Sequence, residues 1–274
     1  FTVPVAMRPG VFYATPMNPA IINIYMPLGV ALIVGGLLAA LIAFVIGTPV
    51  LRLRGDYLAI ATLGFSEIIR IVITNASSIT NGALGIKNIP PLNDVRIIFL
   101  ATLITFILIT LLINSSYGRA FKAIREDEIA AEAMGIDLFY HKNLAFMISA
   151  FFAGIGGGLY GALLGTVDPK NFLFTLTYNF LLIIVLGGMG SITGSMLGAV
   201  IVTAGLEYLR VFDEPLELFG MAIPLFRPGF RMVMFSVLLM FCVLFWRKGI
   251  MGTEEFTWAK FMNFCKHPLA YFTK

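Results

Sequence analysis

Residues 24–47 read IYMPLGVALIVGGLLAALIAFVIG, a stretch without a single charged side chain. An α-helix rises about 1.5 Å per residue and the hydrocarbon core of a bilayer is about 30 Å thick, so about 20 such residues are enough to cross it. The stretch therefore predicts a transmembrane helix.

The rest of the chain repeats this pattern. It is 59% hydrophobic and only 12% charged, whereas soluble domains have about 45–50% apolar and about 25% charged residues. The charge-free run 171–206 is long enough for two crossings, with a reversal at the glycine-rich segment 186–194. We expect an all-α polytopic membrane protein with about seven transmembrane helices, at 24–47, 57–74, 97–114, 143–165, 172–188, 194–209 and 232–246.

The distribution of Lys and Arg predicts the orientation, because cytoplasmic connections are enriched in both. Placing the basic loop 115–142 in the cytoplasm puts the first terminus outside and the tail inside. Residues 1–23 are then an extracytoplasmic or truncated N-terminal segment, 24–250 the transmembrane domain and 251–274 a cytoplasmic tail. The segment 1–23 lacks the basic and apolar regions of a signal peptide.

Several chemistries are disfavoured by the absence of their motifs. The chain has no GxxxxGK[ST], HExxH or GxSxG sequence. Its two cysteines, Cys242 and Cys265, and its two histidines, His141 and His267, are too isolated to form a metal site or a disulfide framework. We therefore expect no enzyme and no metal or other cofactor on this chain.

Two features within the predicted spans are candidates for function. Glu67 and Arg70 lie three residues apart on one helix, close enough to pair, and ionisable groups at this depth normally face protein or water. A structural or gating ion pair is favoured over direct contact with a substrate. Glycines recur every fourth residue in two stripes, which favour close helix packing and leave a role in a pathway open: Gly157, Gly161 and Gly165, then Gly190, Gly194 and Gly198.

The third candidate is the polar segment 118–137, GRAFKAIREDEIAAEAMGID. Its good helix formers and scattered apolar residues predict a short, partly amphipathic cytoplasmic helix. A solvated loop has no need of the apolar residues and the terminating glycine in AEAMGI, so docking to a separate soluble protein is favoured over a plain connection.

Three motifs are similar to those of a known family. In order, LRLRGDYLAIATLGFSEIIR (51–70), GRAFKAIREDEIAAEAMGID (118–137) and LGGMGSITGSMLGAVI (186–201) resemble the permease subunit of branched-chain amino-acid (Liv-type) ABC importers. The likeness runs from about residue 47 to about residue 255. Residues 1–23 do not resemble the family, whose members usually carry further apolar segments there.

The resemblance implies a function and a set of partners. The chain would carry leucine, isoleucine and valine across the cytoplasmic (inner) membrane as a heterodimer with a second, related permease. Two cytoplasmic ATP-binding subunits would hydrolyse the ATP, and an extracytoplasmic binding protein would deliver the substrate. Residues 118–137 would contain the coupling helix that contacts an ATPase, through Arg119, Arg125, Glu126, Asp127, Glu132, Ala133, Met134 and Gly135.

Two alternatives stay open. A urea or short-amide ABC permease would show nearly the same motifs, and apolar and hydrogen-bonding residues are both abundant here. An ion-coupled secondary transporter would need no ATPase and would use Glu67, the one acid well inside a predicted span, to carry a proton.

Overall fold

The computed structural model describes residues 25–209 except 54, 88, 90, 91 and 93, together with 2–4, 217–218, 221–222, 234, 236–237, 240 and 249–252. The chain divides into two compact units, Phe1–Phe174 and Thr175–Lys274. Each unit is described by itself.

The first unit is a set of helices with a small antiparallel ribbon in which β1 (Thr2–Pro4) pairs with β2 (Tyr25–Pro27). Two short 3-10 turns, Gly82–Leu84 and Pro169–Phe172, lie in the connections. The α-helices are α1 (Leu28–Val50), α2 (Asp56–Asn75), α3 (Ser77–Thr80), α4 (Val95–Asn114), α5 (Ser116–Glu126), α6 (Glu128–Ala133) and α7 (Leu138–Leu164).

Among the residues that the structure describes, four helices are long and apolar enough to cross a membrane: Leu28–Val50, Tyr57–Asn75, Val95–Asn114 and Leu138–Leu164. They correspond to the spans predicted at 24–47, 57–74, 97–114 and 143–165, and they confirm a multi-pass membrane protein. The last one begins earlier than predicted because Asp137, whose carboxylate accepts a hydrogen bond from the Tyr140 amide at 3.0 Å, caps its N-terminus.

The predicted total of seven spans is only partly covered by these helices. Two further apolar helices, Leu176–Gly187 and Ile192–Tyr208, are shorter than a full span. Most of the predicted span 232–246 lies outside the described residues. Seven crossings therefore stay a prediction.

Helices α1 and α7 run antiparallel in close contact because glycines remove side chains from their interface. A Cβ added at Gly36 would lie 2.9 Å from two ring carbons of Phe151, and one at Gly158 would lie 2.6 Å from a methyl group of Leu32. Real Cβ atoms do not approach other atoms so closely. An alanine at Gly36 would also lie 3.0 Å from the Phe151 carbonyl oxygen and would press on the backbone of α7, whereas at Gly158 only the end of the Leu32 side chain would have to move.

The second unit contains α8 (Phe174–Gly187) and α9 (Ile192–Tyr208), with a two-residue ribbon of β3 (Glu217–Leu218) and β4 (Met221–Ala222). Leu182, Leu186 and Val202 form its small core. The helices meet at glycines, since a Cβ at Gly198 would lie 2.6 Å from the Ile183 carbonyl oxygen.

A turn at 249–252 completes the end of α8. The amides of Ile250 and Met251 donate to the carbonyls of Leu186 and Gly187, at 2.8 and 3.1 Å. These are among the last carbonyls of a helix, which have no partner inside it, so the turn supplies the missing donors. Gly188, at φ +114°, allows the close approach because an added Cβ would meet the backbone of Gly252.

Candidate functional site

The polar segment folds into two helices rather than the single helix predicted. Asp127 has an extended backbone (φ −156°, ψ 115°) and separates α5 from α6. Its Oδ1 accepts hydrogen bonds from the amides of Ile129 and Ala130 at 2.8 and 3.1 Å. Asp127 is therefore the N-cap of α6, a position at which a carboxylate satisfies free amides and favours the positive end of the helix.

The helical segment ends at the glycine, as the sequence predicted. Gly135 adopts a left-handed conformation, φ +82°, and its amide donates to the carbonyl of Glu132 at 2.9 Å. The next amide, of Ile136, reaches back to the carbonyl of Ala131 at 3.1 Å. This Schellman-type ending turns the chain at once into the cap of α7.

The side chains of this segment divide into a buried set and an exposed set. Ile124 and Ala131 are 7% and 3% exposed and pack inward. Ile129 and Met134 are 81% and 82% exposed, although both are apolar. The exposed set also contains most of the predicted coupling residues, Arg119, Arg125, Glu126, Asp127, Glu132, Ala133 and Gly135.

Two contacts that the sequence did not indicate lie at the junction of this segment with the membrane helices. The ammonium of Lys142, on α7, lies 2.7 Å from Oε2 of Glu128, the first residue of α6. The guanidinium of Arg52, just after α1, lies 5.4 Å from the ring centre of Phe139, a distance typical of a cation–π contact. The first contact therefore joins α6 to α7, and the second joins the end of α1 to α7.

The opposite end of the same unit carries a second candidate site, an apolar cleft of about 510 Å³. Helix α2 contributes Ser66, Ile69, Arg70 and Ile73 to its wall, and Gly157 of α7 lies across from them. Such a volume lies within the range of about 300–1,000 Å³ that is usual for small-molecule sites.

Two connections that line part of the cleft, one after α2 and one after α7, pair through their backbones. Ile86 and Val167 exchange hydrogen bonds of 2.9 and 2.8 Å, and the amide of Ile89 donates to the carbonyl of Gly165 at 2.9 Å. Asn81, only 1% exposed, donates from its side-chain amide to the carbonyl of Gly85 at 3.0 Å. These bonds join the connection after α2 to the connection after α7.

Glu67 and Arg70 lie beside this cleft and contact each other. Arg70 donates to Oε1 of Glu67 from Nε at 2.9 Å, and its Nη2 contacts the same oxygen. The side chains are 44% and 25% exposed within the chain. The structure thus brings the two residues together, and it places Arg70 in the wall of the cleft.

The glycine stripes occupy different settings. Gly157 lines the cleft, and a Cβ there would meet nothing within 4 Å, whereas at Gly161 it would lie 2.7 Å from the Val167 side chain. Gly165 ends α7 at φ +69°. In the second stripe Gly194 and Gly198 touch α8, and Gly190 lies in the turn before α9, where its amide donates to the carbonyl of Gly188.

Sequence comparisons place this chain among transport proteins. A family model described as the permease component of branched-chain amino acid transport systems matches residues 10–244, so the prediction that the likeness begins near residue 47 and excludes 1–23 is wrong. The high-affinity branched-chain amino acid transport system permease protein LivM of Escherichia coli is 39% identical over 242 residues, which cover 75% of this chain and 57% of that protein.

Two further relatives extend the comparison. The probable LivM of Methanocaldococcus jannaschii is 28% identical over 242 residues, covering 82% of this chain and 69% of the relative. The permease protein LivH of Salmonella typhimurium is 34% identical over 106 residues, covering 38% of this chain and 34% of the relative. The chain thus spans a little over half of the LivM protein of E. coli, and no solved structure matches it.

Proposed function

This chain belongs to the permease family of branched-chain amino acid transport systems, and from that premise we propose that it is a membrane-spanning permease subunit of an ATP-driven importer. It carries leucine, isoleucine and valine into the cytoplasm through the inner membrane. The ATP is hydrolysed on separate subunits, so that this chain is not itself an enzyme.

The observation that carries the proposal is the surface of α6. An apolar side chain in water is unfavourable, yet Ile129 and Met134 stand more than 80% exposed at the tip of a segment with a charged surround. Both ends of α6 are fixed, by Asp127 at the start and Gly135 at the end. A short rigid helix with two apolar tips suits insertion into a groove of a partner protein.

The proposed partner on this side is an ATP-binding subunit. Closure of two such subunits on ATP would move α6 and the α7 helix bonded to it, in a rigid-body switch between outward and inward access. The bond between Lys142 and Glu128 supports this role because it joins α6 to α7, and the contact between Arg52 and Phe139 joins the end of α1 to the same helix.

The remaining proposed partners are a second permease and an extracytoplasmic binding protein. Because the chain is similar to proteins named LivM and LivH, we infer that two related permeases form a heterodimer. An extracytoplasmic binding protein delivers the amino acid to the end of the bundle that holds the cleft. That end also holds the turns Gly82–Leu84 and Pro169–Phe172, on the opposite side from α6.

The test is uptake by the reconstituted assembly. Proteoliposomes with the two permeases and the ATPase, loaded with ATP and supplied with the binding protein, should accumulate labelled leucine. Urea in excess should not compete, and a protonophore should not stop uptake.

Three results would contradict the proposal. Uptake that persists with a non-hydrolysable ATP analogue but stops with a protonophore would establish the secondary transporter instead. Accumulation of urea in place of leucine would reassign the substrate. Absence of any ATPase from the complex purified from native membranes would remove the proposed source of energy.

A further inference from the structure

We propose that the cleft beside α2 is a subsite for the free amino acid, in which Arg70 binds the substrate carboxylate, Glu67 binds its ammonium group and the apolar wall takes the branched side chain. The proposal rests on the proposed function, and it assigns substrate contact to the pair for which the sequence favoured a structural or gating role.

The charge pattern of the pair matches an amino-acid zwitterion. A guanidinium has five N–H groups in a planar fork, and the contacts of Arg70 to Glu67 use Nε and Nη2. Both go to Oε1, and the described residues provide no bond to Oε2 of Glu67. A carboxylate can therefore bind the remaining edge of Arg70 while an ammonium binds Oε2, and neither charge of the pair loses its neutralisation.

The hydroxyl groups of the residues that line the cleft can accept hydrogen bonds, as the partners of an ammonium group must. Ser66 donates its proton to the carbonyl of Leu63 at 2.7 Å, and Thr80 donates to the carbonyl of Ile73 at 2.6 Å. A hydroxyl has one proton and two lone pairs. Each of these oxygens therefore keeps lone pairs that can accept a hydrogen bond, which suits a substrate with N–H donors.

The other residues of the cleft wall are apolar and favour a substrate with an aliphatic side chain. Ile69, Ile73, Ile86, Val167 and Phe172 line the cleft, and an apolar wall favours an aliphatic side chain by removing its surface from water. Urea has no apolar part and no ionised group, so it would leave both the apolar wall and the charged pair without partners. The cleft therefore favours leucine, isoleucine and valine over a short amide.

The experiment measures occupancy of the cleft directly. In the purified permease–ATPase complex, without the binding protein, a cysteine replaces Ile73 in a background with Cys242→Ser and Cys265→Ser. Its reaction with a maleimide is timed in the presence of leucine, of 4-methylpentanoate, which lacks the ammonium, or of isopentylamine, which lacks the carboxylate. The variants Arg70→Gln and Arg70→Lys follow, with Arg96→Gln as the control, since Arg96 is exposed near the start of α4.

Leucine should slow labelling saturably, and each one-charge analogue should need at least about tenfold more for the same protection, because one charged hydrogen-bonded contact is missing. Arg70→Gln should weaken leucine protection by a similar factor, Arg70→Lys by less, and Arg96→Gln not at all. Arg70→Lys retains the charge and serves as the test of correct folding.

The outcomes separate this proposal from the proposed function. Equal protection by leucine and both analogues would mean an apolar cleft without zwitterion recognition, and no protection would mean no subsite; either result overturns the inference. ATP-driven leucine uptake in the same preparation, without protection, would leave the function standing. Leucine-specific protection without uptake would support the subsite and contradict the function.

Discussion

Replacing the two exposed apolar side chains at α6, Ile129 and Met134, by alanine should uncouple transport from the ATPase without unfolding the chain. Ile129 and Met134 are 81% and 82% exposed in the chain, so nearly their whole surface is available to a partner. Burying a side chain of this size contributes about 1.5–3 kcal/mol, and part of that remains when alanine replaces it. We therefore expect about 1–2 kcal/mol per side chain from truncation.

For the double variant Ile129→Ala with Met134→Ala the sum is about 2–4 kcal/mol, or about a 30-fold to 1,000-fold weaker affinity for the ATPase. The permease itself should unfold as before, within about 0.5 kcal/mol, because the side chains make few contacts within the chain. The assay is binding of the purified ATPase to the immobilised permease pair, combined with leucine uptake.

The matched control is Leu84→Ala, an exposed apolar residue at the opposite end of the unit. Its affinity for the ATPase should equal that of the wild type. A change of less than about threefold in the double variant, with normal uptake, would refute the assignment of α6 as the docking element.

Three further predictions concern the supports of the two sites. Asp127→Ala should lose about 1 kcal/mol of helix stability while Asp127→Asn is nearly neutral, which hydrogen exchange at the capped amides of α6 would show; equal exchange in both variants would contradict the capping role. Gly36→Ala should destabilise the chain by about 1–3 kcal/mol through overpacking, whereas Gly29→Ala, with nothing within 4 Å, should not; denaturation in mixed micelles compares the two, and equal midpoints would argue against the tight contact. Glu67→Gln should reduce uptake less than Glu67→Ala, since an amide oxygen still accepts from the guanidinium; equal losses would indicate a protonation role instead.

The sequence predicted the four long helices well because their signal is local. An uninterrupted apolar run determines its own structure in a bilayer, so the start and end of α4 at Val95 and Asn114 lie within two residues of the predicted 97–114. The spacing of Glu67 and Arg70 likewise predicted their contact, since it depends on one helix alone.

The break at Asp127 was missed although its signal is local too. An aspartate followed by Glu-Ile-Ala-Ala is a good N-cap sequence, and the continuous run of helix formers obscured it. The register of the α1–α7 contact could not be predicted from one helix. The stripe at Gly157 and Gly161 was visible in the sequence, but the close approach to α1 uses Gly158, because the facing surface of α1 decides which glycines matter.

The cleft could not be predicted because it depends on residues distant in the chain. Its wall combines Arg70 with Val167, and Val167 is held there by backbone pairing with Ile86. No periodicity connects positions so far apart. Only the Glu67–Arg70 pair was visible in the sequence, and it indicated a candidate functional position but not the shape of the cleft.

Helix α7 contains 27 residues without a break, which makes it a lever about 40 Å long. Its first turns carry Lys142, bonded to α6, and its last turns carry Gly157 in the wall of the cleft. For a rigid rod of this length a tilt of about 5° about one end moves the other by about 3 Å. Gly157 lies 15 residues beyond Lys142, about 22 Å along the helix, so the same tilt would move this part of the cleft wall by about 2 Å. If α6 is the docking element proposed above, a movement of α6 would reach the cleft through α7 itself, without a chain of side-chain rearrangements.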